Sequence, residues 1–276
     1  MIINHNLNAM NSNRQMGINN NSAAKSMEKL SSGMRINRAG DDAAGLAISE
    51  KMRNQIRGMD QASRNGQDGI SLIQTAEGAL NETQAMLQRM AELYTQASNE
   101  TLTADDNDKI QAEITQLQGQ VQNVATQTKF NTKELLTTAA ATTAVVFQVG
   151  ANAGETISLS LSDNTAATLG VDAGTLTALD GTNAVASANL TAVQTAINTV
   201  STNRANLGAV QNRLEHTIKN LNNGAENLQA AESRIRDTDM AKEMMAFTRS
   251  NILNQASQAM LAQANQQPQA VLQLLR

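Results

Sequence analysis

The most regular feature of the chain is a ladder of apolar residues in its C-terminal half. Val193, Val200, Leu207, Leu214, Leu221, Leu228 and Ile235 follow one another at seven-residue intervals. Leu190, Ile197, Ile218 and Ala225 stand at companion positions three residues earlier, a row that Arg204 and Gln211 interrupt. Alternating steps of three and four put a stripe on one side of a helix, and a sustained seven-residue repeat is the seam of supercoiled helices. The spacing predicts one helix over about 187–235.

The N-terminal half supplies a partner stripe. Met52, Met59, Ile73, Leu80, Leu87 and Tyr94 share one seven-residue frame in which Gly66 is the gap, and Ile56 and Ile70 join it. Asp41 and Asp42 precede the pattern, where carboxylates can cap exposed N–H groups and complement the helix dipole, so a helix is predicted over about 43–99. A third follows over about 104–128. Thr103 and Asp106 have the spacing of a capping box, and Ile110, Ile114, Leu117, Val121 and Val124 repeat behind them. Three such stripes can bury one another, which predicts an antiparallel bundle forming a central rod.

Between the helices the period drops to two. Val145, Phe147 and Val149 alternate with other residues, residues 150–154 read Gly-Ala-Asn-Ala-Gly, and Ile157, Leu159 and Leu161 alternate again. This predicts a β-hairpin over about 145–161. Residues 163–186 are rich in Thr, Ala, Gly, Asn and Asp, the composition of a surface loop or a very small excursion. The chain ends carry narrower stripes: Ile3, Leu7, Met10, Met27, Leu30 and Met34 at one, Met240, Met244, Phe247, Ile252, Ala256 and Ala259 at the other, followed by Leu272 and Leu275. Asn crowds the first segment and costs roughly half a kcal/mol per helical residue relative to Ala. Helices at these ends are expected to need packing partners.

Composition narrows the picture. Aromatic residues are 1% of the 276, Trp is absent, and the single Pro is Pro268, so long thin helical packing is favoured over a thick globular core. Cys is absent, which excludes disulfides and thiolate chemistry. The N-terminal residues lack the basic start and apolar run of a cleaved signal peptide, and no stretch approaches a membrane span, so no membrane insertion is expected. Net charge is −4, yet the first 57 residues carry eight Lys and Arg against four Asp and Glu. No aromatic platform accompanies these charges, so a solvated or subunit-facing helix surface is expected rather than a nucleic-acid site.

Catalytic signals are weak. The two histidines, His5 and His216, have no motif partner. The run from Asp105 to Asp108 lacks the central Gly of a calcium loop and has Gln116 where the bidentate Glu would stand, so a helix cap explains these acids better. Gly150 and Gly154 are one residue short of phosphate-loop spacing and are followed by Glu155, which favours a hairpin turn. There is no His-Glu-x-x-His pair for zinc. The chain is expected to be non-enzymatic, with no catalytic, cofactor-binding or metal site.

Residues 30–58, LSSGMRINRAGDDAAGLAISEKMRNQIRG, closely resemble the N-terminal signature of bacterial flagellins, and residues 261–276, LAQANQQPQAVLQLLR, resemble their C-terminal signature. With the hairpin segment VFQVGANAGETISLSL at 146–161, the resemblance covers essentially the whole chain in order. It implies a minimal flagellin without large outer domains. The fold expected is mainly α: a long antiparallel coiled-coil bundle with one β-hairpin, residues 41–235 forming the rod. Residues 1–40 and 236–276 form a second coiled-coil layer through which the chain polymerises.

The resemblance also implies an extracellular address in the bacterial flagellum, export by the flagellar type III apparatus without a cleaved signal peptide, and a role in swimming motility. Implied partners are copies of itself in a helical homopolymer, hook–filament junction proteins, the filament cap, and an export chaperone covering the C-terminal helix. Residues 88–93 resemble the segment by which a Toll-like receptor senses flagellins, which carries over to Arg89, Leu93 and the supporting Glu113. The rival readings are a hook–filament junction protein, which usually lacks this C-terminal ending, and a secreted enzyme or adhesin presented on a helical stalk, for which the middle segment offers no site.

Overall fold

A computed structural model describes the backbone of residues 6–99, 101–180 and 182–274, and side-chain surroundings through residue 266. The chain order is α1 (Leu7–Ser32), α2 (Ala43–Ala97), α3 (Ala104–Gln127), β1 (Lys129–Phe130), β2 (Lys133–Glu134), α4 (Thr138–Ala141), β3 (Val145–Gln148), β4 (Thr156–Leu159), α5 (Asn183–Arg236) and α6 (Met240–Leu274). Two compact units divide inside both long helices: a terminal unit of residues 1–55 with 226–276, and a central unit of residues 56–225. The fold is mainly helical, as the repeat spacing predicts.

In the central unit α2 and α5 run antiparallel. Arg204 reaches Gln84 across them and Ser63 donates to Asn222 at 3.2 Å. The gap in the α2 stripe is where the partner enters, since a Cβ on Gly66 would lie 2.9 Å from Ile218 Cγ1. Ile73, Leu80, Leu87, Tyr94, Val193, Val200 and Leu214 are fully buried. Helix α3 adds its face of Ile110, Ile114 and Val121. Its start has the capping box the sequence signals, Thr103 and Asp106 each satisfying the other's backbone N–H. At the start of α2 only one of the two acids caps: Asp42 Oδ1 accepts from Gly45 N at 2.8 Å, while Asp41 serves the preceding loop.

The ladder on α5 is a core row only as far as Leu214; Leu221 beyond it is half-buried. Phe147 and Leu214 close over Gly69, but farther along the third layer is the hairpin tip, residues 150–154, which leans on α2 at Gly58. Its Gly, Ala and Asn carry no large apolar side chain, so nothing there seals the seam. The tip is tied by Glu155, whose carboxylate accepts from Asn152 N at 3.0 Å and Asn152 Nδ2 at 2.9 Å. These bonds hold the Glu155 carboxyl below its ordinary value, the Asn152 side chain contributing most.

Two features go beyond the sequence pattern. Strands β1 and β2 form a second, two-residue hairpin through Asn131 and Thr132, both at positive φ (47° and 67°), where Asn-Gly would be the ordinary choice. Of the two expectations for 163–186, a plain surface loop does not hold, because part of the stretch packs inward. It has few apolar residues, yet Ala166, Leu169, Val171 and Leu176 are all buried in the central core. Asn164 is 2% exposed, donating to Ser162 O at 2.8 Å and accepting from Asn203 Nδ2 at 2.8 Å. Composition misleads here because the Asp and Thr residues fold local turns, with Asp163 accepting from Thr138 and Thr168, while their few apolar neighbours point inward.

Candidate assembly interface

Within the terminal unit α1 and α6 pack antiparallel along each other. Asn6 Nδ2 donates to Ala264 O at 2.8 Å and Asn19 Nδ2 to Ser257 Oγ at 3.4 Å. Met34 and Asp237 form an antiparallel bridge at the other end. The covered face of α1 is Ala9, Ser12, Met16, Asn19, Ala23, Ser26 and Leu30, and that of α6 is Glu243, Phe247, Ser250, Asn254, Ser257, Leu261 and Ala264. Each alternates in steps of three and four, as a coiled-coil seam must. Most of these side chains are small or polar, which lets two helices approach while burying little apolar surface.

The large apolar side chains point the other way. Leu7, Met10, Ile18 and Met27 on α1 are at least half exposed, Met10 by 68%. On α6 the exposed set is Met240, Met244, Met245, Ile252, Leu253 and Met260, with Met245 and Met260 at 64%. Met244, Met245, Thr248, Arg249, Ile252 and Leu253 line an open groove of about 500 Å³. Contiguous exposed apolar surface of this kind marks a contact site, because a lone soluble subunit gains nothing from leaving it in water.

Of the residues singled out in the sequence, Leu7, Met10, Met27, Met240, Met244, Ile252, Ala256 and Ala259 lie on this outward surface. Leu30 and Phe247 are half-buried in the seam, and Met34 contributes through its backbone bridge. Ile3, His5 and Leu275 lie outside the described residues, and Leu272 falls in α6 beyond the described side chains. Sequence reasoning misses Ile18, Met245, Leu253 and Met260, and it misses the seam itself. The available signal is the seven-residue spacing of Met16, Ala23 and Leu30, and of Phe247, Asn254 and Leu261. Its Ala and Asn members hide it from a search for large apolar residues.

The segment between α1 and α2 anchors this surface, and it coincides with the N-terminal signature. Gly33 ends α1 at φ 70°, a left-handed cap whose N–H donates to Lys29 O at 2.9 Å. Arg35 N donates to Arg236 O, and Thr238 N returns a bond to Gly33 O. Asp41 Oδ2 accepts from the backbone of Asn37 and Arg38, and these bonds lower its pKa. Ile36 is 2% exposed because Gly45 leaves room for it; a Cβ there would lie 2.8 Å from Ile36 Cδ1. Arg236 pairs with Glu50 at 2.5 Å, which holds the Glu50 carboxyl below its ordinary value.

In the central unit Arg89 sits between two acids, Nη1 3.2 Å from Glu92 and Nη2 2.9 Å from Glu113. These bonds, Glu113's first, raise the guanidinium pKa. All three side chains are substantially exposed. Leu93 is not part of that surface: at 2% exposure it belongs to the core, facing inward with Met90 and Tyr94. Among the described residues no group of three or more His, Cys, Asp or Glu side chains could hold a metal ion, and no helix is long and apolar enough to cross a membrane. His216 is exposed on α5.

A closed helical core, joined to two terminal helices whose large apolar side chains face water, defines a structural subunit that assembles with copies of itself. Residues 3–141 match the bacterial flagellin N-terminal helical region and residues 190–275 the bacterial flagellin C-terminal helical region. The chain is 63% identical to a flagellin of Halalkalibacterium halodurans and 55% identical to one of Bacillus subtilis, in each case over the full length of both chains. The crystal structure of Bacillus cereus flagellin aligns with a TM-score of 0.51 at 35% identity, covering 61% of this chain and 94% of that one. The chain belongs to the bacterial flagellin family: it is a structural subunit of the extracellular flagellar filament, and motility follows from that role.

Proposed function

We propose that the outward faces of α1 and α6 are the polymerisation interface, with residues 1–40 and 236–276 forming the inner layer of the filament and residues 41–235 its outer rod. The observation that carries this is the inversion in the terminal unit, where the intramolecular seam is mostly small and polar residues, Met16, Leu30, Phe247 and Leu261 apart, while Leu7, Met10, Met27, Met240, Met244 and Ile252 face water. Each such side chain is already about half covered, so covering the rest adds about 1 kcal/mol, and neighbouring copies supply stability the lone subunit lacks. Ile3, Leu272 and Leu275, singled out by the sequence, are assigned to the same polymerising ends. The protein acts without catalysis and is exported by the flagellar type III apparatus. Its remaining partners are the hook–filament junction proteins, the filament cap and an export chaperone on α6.

Ile252→Asp tests this reading. Ile252 is 60% exposed in the subunit, so the monomer keeps its helical circular dichroism, whereas assembly would bury an unpaired carboxylate. Sedimentation is expected to find no filaments at concentrations where the parent polymerises. Filaments at an unchanged critical concentration overturn the interface. A second surface, Arg89 with Glu113, is proposed for recognition by a flagellin-sensing Toll-like receptor, supported by their exposure and mutual pairing. Leu93, one turn along the same helix, is buried in the core and offers the receptor no side-chain contact. Arg89→Ala is expected to weaken receptor signalling without unfolding the protein, and unchanged signalling removes the assignment.

A further inference from the structure

Among the described residues the methionines are not distributed evenly with respect to water. Met10, Met27, Met240, Met244, Met245 and Met260 are 48–68% exposed, and all lie on α1 or α6. In the central unit Met90 is fully buried, and Met59 and Met86 are half-buried. The thioether is thus concentrated on the surface that assembly covers. On α6 the groove beside Met244 and Met245 also contains Arg249, whose guanidinium offers N–H donors but no acceptor.

We propose that these methionines, above all Met244, Met245 and Met260, are a modification site at which a peroxide-class oxidant blocks assembly of the free subunit. The sulfur takes one oxygen atom from hydrogen peroxide: an S–O bond forms as the O–O bond breaks, the thioether loses two electrons, and the peroxide is reduced to water. The product, methionine sulfoxide, carries a strong acceptor that water or Arg249 can satisfy in the monomer. Against a neighbouring copy's apolar face it has no donor, so oxidation favours the unassembled state. Once assembled, the same sulfurs are covered and escape the oxidant. The inference rests on α1 and α6 being the polymerisation face.

Peroxide treatment of the full-length monomer and of sedimented filaments, with peptide mass spectrometry at each Met and polymerisation measured afterwards, tests it. In the monomer the six terminal methionines are expected to oxidise about tenfold faster than Met90, and the critical concentration to rise roughly tenfold or more. Methionine sulfoxide reductases should restore assembly in step with the loss of sulfoxide at Met244, Met245 and Met260. Normal assembly of the fully oxidised monomer overturns the modification site, as does failure of assembly to return once reductase has removed the sulfoxides. Equal oxidation of monomer and filament instead overturns the interface on which the inference rests.

Discussion

Leu214 and Leu221 occupy the same row of the α5 ladder, and sequence alone makes them equivalent. The structure does not: Leu214 is completely buried and meets Gly69 together with Phe147, whereas Leu221 is half-buried, toward the end of the unit where the hairpin tip, without large side chains, meets α2 at Gly58. Leu214→Ala removes a fully buried isobutyl group and leaves a cavity, at a cost of about 3–4 kcal/mol. Leu221→Ala loses only part of a transfer term and leaves no sealed cavity, at a cost of about 1 kcal/mol. The chain carries a built-in reporter, since it has no Trp and its single Tyr, Tyr94, is fully buried in the central core. Urea titration followed by Tyr94 fluorescence therefore reads that unit, and a shifted midpoint at constant slope gives the stability change. Equal midpoint shifts for the two variants, or a larger one for Leu221→Ala, refute the argument that sealing depends on what the hairpin lays over the seam.

Burial pushes the Tyr94 phenol from 10.0 up to about 12. Because the folded value is raised, its stabilising contribution is complete below pH 10 and is lost as pH rises toward 12; phenolate absorbance should appear together with loss of helix rather than near pH 10. Asp41 and Glu50 are shifted the other way, below 3.8 and 4.5. Their contribution is present above those values and disappears as pH falls through the lower folded values, so hydrogen exchange between α1 and α2 should accelerate below about pH 4, and less so in Glu50→Gln. Thr132→Gly should stabilise the central unit by about 0.5–1 kcal/mol in the same urea assay, because Gly relieves a β-branched residue at positive φ; a loss of stability would mean the Thr132 side chain is needed.

Periodicity alone determined the long helices, since a repeat of seven carried over six or seven turns of the pattern has one physical solution, a buried seam. Predicted ranges of 43–99, 104–128 and 187–235 became Ala43–Ala97, Ala104–Gln127 and Asn183–Arg236. The capping box at Thr103 and the β3–β4 hairpin were equally legible, because each rests on residues close in sequence. The inward packing of residues 163–186 was not, because Leu169, Val171, Leu176, Leu179 and Val185, scattered among Ala, Thr, Gly and Asp, leave no period to read. Nor did the sequence reveal that the terminal stripes have two faces. Whether Leu30 or Leu7 turns toward the partner helix depends on the relative rotation and register of α1 and α6, fixed by contacts more than two hundred residues apart such as Asn19 with Ser257. Local spacing determines that a helix has an apolar stripe; only the tertiary arrangement decides whether that stripe is already buried or left for another subunit to cover.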